Sequence, residues 1–279
     1  MLQQDEGAGL EGRYGVCYLV GRCLRVDGRV KEAVRLLEEC YRWSKGHLPQ
    51  DHPNRLASQH ELAYAYQANG QVKEAIELLE YVVAIRKTTL AEDHPDRLAS
   101  QHELAGAYQA NGQVSKAVEL LEHVVTIQKT LAKDYPSRLA SQHMLAGAYQ
   151  ANGQVKEAIE LLKHVVTIQK TLAEDHPSRL ASQHELARAY QANGQVEEAI
   201  RLLEHVVAIK KITLAKDHPD RLVSQHELAR AYQANGQVEE ALELLEHVVA
   251  IQKITLAEDH PSRLASQHML AYAYGARRY

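Results

Sequence analysis

Phenylalanine is absent from the 279 residues, and there are one tryptophan and three methionines. Large apolar volume must therefore come from leucine, isoleucine, valine and the 14 tyrosines. Cysteine is scarce too. Cys17, Cys23 and Cys40 are an odd number confined to the first 40 residues. That excludes a disulfide framework and points to a reducing, cytoplasmic compartment. No apolar run approaches the roughly 18 residues that mark a membrane span. The opening MLQQDEGAGLEG lacks the basic and apolar regions of a secretory signal. Excess positive charge is missing as well: 32 Lys and Arg against 36 Asp and Glu give a net charge of −4. A strongly basic nucleic-acid binder is excluded on that ground. With 45% hydrophobic residues and so small a net charge, the chain is not of the disordered class either.

What is present is a repeat. His-Pro recurs at His52-Pro53, His94-Pro95, His176-Pro177, His218-Pro219 and His260-Pro261, and Tyr135-Pro136 takes the remaining place. The six prolines lie 42, 41, 41, 42 and 42 residues apart, and Gly28, Gly70, Gly112, Gly153, Gly194 and Gly236 keep the same step. A fixed period in the range of about 20–50 residues marks a solenoid. Each unit holds two helical patterns. The first opens on proline, which suits a first helical position, and ends at Asn69-Gly70, where glycine accepts the left-handed conformation. The second carries Val72, Ala75, Ile76, Leu79, Val82, Val83 and Ile85 as a broad apolar stripe. A pair with such a stripe must stack on its neighbours to bury it.

The resulting expectation is an all-α, right-handed α-solenoid of six antiparallel helix pairs plus a closing helix. Its boundaries are an N-terminal lead-in over 1–9 and a single solenoid over 10–279. The units run 10–52, 53–94, 95–135, 136–176, 177–218 and 219–260, with the closing helix over 261–274. The first unit is degenerate, with Val20-Gly21 standing where Leu62-Ala63 stand later.

Leu62, Ala63, Tyr66, Gly70 and Ala75, repeated six-fold, resemble the tetratricopeptide pattern. The 42-residue period and the Asp-His-Pro linker resemble its kinesin-light-chain-like variant. The near-identical copies and Val20-Gly21-Arg22-Cys23-Leu24 are also similar to the repeat arms of fungal nucleotide-binding STAND receptors. The resemblance implies a non-catalytic module that holds a protein or peptide in a concave groove. It also implies that the residue after Leu-Ala faces that groove.

Motifs for chemistry fail on context. Gly7-Ala8-Gly9-Leu10-Glu11-Gly12 matches G-x-G-x-x-G by letter, but no strand precedes it. No Walker-type phosphate loop occurs. His102-Glu103 starts an H-E-x-x-H whose fifth place is Gly106. Glu174-Asp175 and its copies lie in a repeated loop, where capping of the next helix is the expected role. One histidine per unit makes a ladder rather than a metal cage, since ligands must converge within about 2 Å of one point. Neither an enzyme, a metal nor a cofactor is expected. The cysteines read as small core residues.

Recognition is expected where near-identical copies differ, although exposed helix positions also drift at little cost. The position after Leu-Ala reads Tyr64, Gly106, Gly147, Arg188, Arg230 and Tyr272. Arg188 and Arg230 form a local positive pair suited to a carboxylate, hence an acidic partner. Gly106 and Gly147 leave room for a bulky side chain. His60, His102, His143, His184 and His226, with Gln67, Gln109, Gln150, Gln191 and Gln233, line the same groove as neutral contacts. Ala57, Ala99, Ala140 and Ala181 give it a smooth floor. The Lys and Asn of the chaperone-tail-binding subtype are replaced here, so that ligand is not expected. Leu264, Leu270 and Tyr274 on the closing helix predict self-association through the C-terminal end.

Overall fold

The computed structural model describes residues 2–130 and 136–277. Among these residues the chain forms thirteen α-helices, one short 3₁₀ turn and no strand. They are α1 (Leu2–Val26), α2 (Val30–His47), α3 (Pro53–Ala68), α4 (Val72–Thr89), α5 (Pro95–Ala110), α6 (Val114–Ile127), α7 (Pro136–Ala151), α8 (Val155–Gln169), α9 (Pro177–Ala192), α10 (Val196–Thr213), α11 (Pro219–Ala234), α12 (Val238–Thr255) and α13 (Pro261–Ala276). The chain divides into two compact units, Met1–Ala148 and Tyr149–Tyr279.

In the first unit α1 through α6 pack each on the next, and α1 also touches α3. In the second, α8 through α13 do the same, and α11 touches α13. Within each unit consecutive helices thus pack on one another, as the stacked-pair expectation requires. Leu37, Leu79 and Leu121 are fully buried in the first unit, and Leu162, Leu203 and Leu245 in the second, all at one register of the second helices. Each stabilises by about 2 kcal/mol. Buried alanines at Ala63, Ala105, Ala187 and Ala229 let the helices approach. Gly21 does so more acutely: a Cβ there would lie 2.7 Å from Leu37 Cγ.

Three polar joints recur. Gly70, at φ +80°, closes a Schellman turn with Gln71 N–H donating to Tyr66 O at 2.8 Å. At the other end of the linker, His52 and His94 cap α3 and α5, and His176, His218 and His260 cap α9, α11 and α13. Each Nδ1 accepts the backbone N–H two residues on, at 3.1–3.2 Å. The cap is therefore the histidine, not the Glu-Asp carboxylates expected from the sequence. The following proline forces it into the extended conformation that an N-cap needs. Third, a buried or half-buried arginine one turn further on donates to the end of the preceding helix. Arg55 bonds Leu48 O at 3.0 Å and Arg97 bonds Leu90 O at 3.0 Å. In the second unit Arg179 bonds Leu172 O at 2.9 Å and Arg221 bonds Leu214 O at 3.0 Å. A cation at a helix C-terminus is also favoured by the dipole.

Two expectations change. The lead-in over 1–9 is helical from Leu2, because α1 continues through it and the glycines there cost only about 1 kcal/mol each. Of the cysteines, Cys40 is a buried core residue whose thiol burial pushes up to about 12, but Cys23 is exposed.

Candidate interaction groove

The variable position after Leu-Ala is not fully buried in any copy. Tyr64 and Gly106 are half-buried, and Gly147 is exposed, in the first compact unit. Arg188, Arg230 and Tyr272 are exposed in the second.

In the first unit Tyr64 is held by its neighbours. His60 meets its ring edge-on at 4.9 Å, and the Arg25 guanidinium sits 5.1 Å from its centroid. Burial, reinforced by a hydrogen bond to Glu103, raises the phenol pKa. Burial also drives the His60 pKa down to about 4, and its Nε2 has no partner. His102 Nδ1 pairs with Ser141 Oγ at 3.2 Å across α5 and α7. Burial lowers its pKa too. His143 Nε2 and Gln67 Nε2 are buried and unpartnered, while Gln109 is half-buried. A Cβ at Gly106 would reach Met144 Cε at an ordinary 3.7 Å, and one at Gly147 would touch nothing within 4 Å. Both glycines thus leave open room. Between α5 and α7 lies a pocket of about 220 Å³, lined by Ala99, His102, Glu103, Gln128 and Ala140 among others.

In the second unit the arginines do not stand as a free positive pair. Arg188 Nη1 donates to Glu185 at 3.2 Å, and Arg230 Nη2 lies 2.6 Å from Glu227 Oε2. Residues three apart share a helix face, so each guanidinium meets a carboxylate of its own helix. A hydrogen bond from His184, then the Arg188 charge, hold the Glu185 carboxyl below its ordinary range. Arg230 also donates to Gln191 Oε1 of α9 at 2.8 Å, which ties the two groove helices together one turn from Arg188. His226 Nδ1 pairs with Ser266 Oγ at 3.1 Å and Gln233 donates to Met269 O at 3.2 Å. Gln150 and His184 are half-buried. The expected locally positive pair is thus charge-compensated, with two arginines facing two glutamates.

A tetratricopeptide-repeat family model matches residues 54–130 and 137–212, and a second matches 221–262. The chain belongs to the tetratricopeptide-repeat family. Repeats of this family are generally protein-interaction modules and typically non-catalytic. A search of curated protein sequences gives no match. Among solved structures, one of Podospora anserina nearly identical TPR-like repeats, assigned as a kinesin light chain, is 72% identical. The match covers 74% of this chain and 99% of that one, with a TM-score of 0.68. BtubC from P. vanneervenii shares the fold at 18% identity and TM-score 0.65, covering 83% and 93% of the two chains. A Pyrococcus horikoshii STAND protein with a tetratricopeptide-repeat sensor does so at 14% identity and TM-score 0.72, over 92% of this chain and 38% of that one.

Among the described residues of this tetratricopeptide array, no helix is long and apolar enough to cross a membrane. No group of three His, Cys, Asp or Glu side chains there could hold a metal ion. Sequence reasoning missed Glu185 and Glu227 as partners of the arginines, although their spacing of three was visible. It also missed Gln128, at a register that holds Arg86 and Lys210 in two copies and glutamine again at Gln169 and Gln252.

Proposed function

We propose that this tetratricopeptide array is a non-catalytic adaptor of the cytoplasm that holds a peptide or protein partner along the open face of its first helices, with no cofactor. One observation carries the reading. Copies that are otherwise nearly constant differ after Leu-Ala, and that position is half-buried or exposed at all six copies. Arg188 and Arg230 serve as charged anchors for an acidic segment of the partner. Each guanidinium has five N–H donors, and pairing with a neighbouring glutamate leaves several of them free to turn outward. Tyr64 and Tyr272 supply aromatic contacts, and the histidine and glutamine ladder supplies neutral ones.

The test is a lysate pull-down with mass spectrometry, wild type against Arg188→Glu/Arg230→Glu. The expected result is a partner retained by wild type and lost by the variant. Equal recovery by both baits removes the arginines from the site.

A second reading has its own observation. Leu264, Tyr272 and Tyr274 of α13 are 50%, 68% and 43% exposed. Such apolar exposure suits self-association, or the repeat arm of a larger receptor of the STAND kind. Light scattering over a concentration series separates the first of these from a monomer, whose mass stays constant.

A further inference from the structure

One register near the end of the second helices decides what fills the space beside the next first helix. In the first compact unit Arg86 of α4 holds it and donates to Asp96 O of α5 at 2.7 Å. In the second unit Lys210 of α10 holds it, donating to Asp220 O at 3.1 Å and Ser224 Oγ at 2.9 Å on α11. The fold therefore accommodates a cationic head group at this place, twice, from its own chain. Gln169 and Gln252 hold this register in two other copies, both buried with an unpartnered Oε1, and after α6 it is held by Gln128, likewise shorter and neutral. Its side chain is buried to 3% exposure, and Oε1 has no hydrogen-bond partner. A buried polar atom left unpaired is costly and calls for a donor.

That donor has room to enter. The pocket of about 220 Å³ lies against Gln128. It is smaller than the roughly 300–1,000 Å³ of sites for drug-sized ligands, and suits a single side chain. Asp93 and Glu103 bring two carboxylates to its wall, and no lysine or arginine lines it among the described residues. His102 does not supply the charge: its Nδ1 is engaged with Ser141, and burial holds it neutral at pH 7. The Asp93 and Glu103 carboxylates and Gln128 Oε1 are acceptors, Glu103 already taking one hydrogen bond from Tyr64, and the Ser137 hydroxyl can donate or accept, while Leu98, Ala99 and Ala140 offer hydrocarbon. Long cationic side chains bury an apolar stem and keep a charged head among acceptors.

We infer that this pocket between α5 and α7 takes the lysine or arginine side chain of an extended partner peptide. The stem lies on Leu98, Ala99 and Ala140, and the head reaches Asp93, Glu103 and Gln128 Oε1. The inference rests on the proposed peptide-holding role of the groove and gives that peptide a basic residue in addition to its acidic segment.

The probes are four peptides, acetyl-Ala-Ala-X-Ala-Ala-amide with X arginine, lysine, glutamine or glutamate, titrated into the full chain by ligand-observed NMR. The arginine and lysine peptides should bind about tenfold more tightly than the other two. Gln128→Arg, which places in this register the residue native at Arg86, should abolish that preference by filling the pocket from within. Glu103→Gln should weaken the cationic peptides several-fold; Met144 and Met269 at the same register show that the fold tolerates a neutral residue there. Circular dichroism checks that both variants fold. Four equal affinities for wild type, or a cationic preference that survives Gln128→Arg, overturn the assignment. Equal affinities alongside a partner that depends on Arg188 and Arg230 overturn the pocket and leave the groove reading standing. A cationic preference lost in Gln128→Arg, with no such partner, supports the pocket and counts against the adaptor.

Discussion

Lowering the pH from 7 to 5 should destabilise the N-terminal repeats of the wild-type chain by about 2 kcal/mol more than those of a His60→Gln variant. The imidazole is largely buried beside α3's neighbours, with Nε2 unpartnered, so a proton placed there finds no hydrogen-bond acceptor. Desolvation is the main cause of its low pKa, about 4; the Arg86 charge adds to it and the Asp96 carboxylate opposes it. An unfolded chain binds that proton near pH 6.5. Between these values the unfolded state holds the extra proton, so stability is complete above about pH 6.5 and is lost as pH falls toward 4. Each pK unit is about 1.4 kcal/mol, giving about 3 kcal/mol in all, of which about 2 is lost between pH 7 and 5. His102 and His226 are lowered by burial too and act with the same sign. The assay is urea unfolding read by Trp43, the single tryptophan, which lies in α2 and stacks on His47 at 4.7 Å. It reports on the repeats nearest His60, which matters because repeat arrays do not unfold as one unit. Acid effects on every other group cancel in the difference between the two proteins. The reasoning is refuted if wild type and His60→Gln lose the same stability between pH 7 and 5.

Three further outcomes are expected. Arg97→Met removes the donor to Leu90 O and Lys87 O, and should lower stability by about 1–3 kcal/mol, read as a fall in the thermal midpoint. Gly21→Val forces a side chain into Leu37, and should cost about 1–3 kcal/mol in denaturant titration; a wild-type midpoint would mean that α1 packs differently. Lys163→Glu places a carboxylate where Glu38, Glu80 and Glu204 receive the phenols of Tyr66, Tyr108 and Tyr232; it also breaks the 2.8 Å bond to Glu160, so the comparison is with Lys163→Glu/Tyr190→Phe, which should be about 0.5 kcal/mol less stable because Tyr190 bonds the new carboxylate. Equal midpoints for Lys163→Glu and the double variant would show that Tyr190 does not reach that place.

The helices and the stacking were legible because they depend on local rules applied six times. Proline at Pro53, glycine at Gly70 and the stripe through Leu79 each carry their meaning within a few residues. The groove's variable position was legible for the same reason: identical neighbours isolate it. What escaped the sequence depends on reach between elements. Nothing local says that Arg97 turns back to Leu90 O, or that His94 rather than Asp93 caps α5. The charge of Arg188 and Arg230 was misjudged because Glu185 and Glu227 read as part of a constant background. That Lys210 and Arg86 fill a space which Gln128 leaves open can be seen only once the helices are placed side by side.

The joints between pairs carry a genetic consequence. The α4–α5 and α10–α11 joints are made from one set of registers: an arginine and a capping histidine on one side, a leucine carbonyl and a glutamate on the other. A segment one period long thus carries the donor half of a joint at its start and the acceptor half at its finish. Copies that carry both halves can mate with one another, so unequal crossing-over within the coding sequence adds or deletes such a copy while leaving the remaining seam chemically complete. Tolerance of changing copy number follows from the placement of these few side chains, and so does the freedom of the exposed positions to diverge between copies.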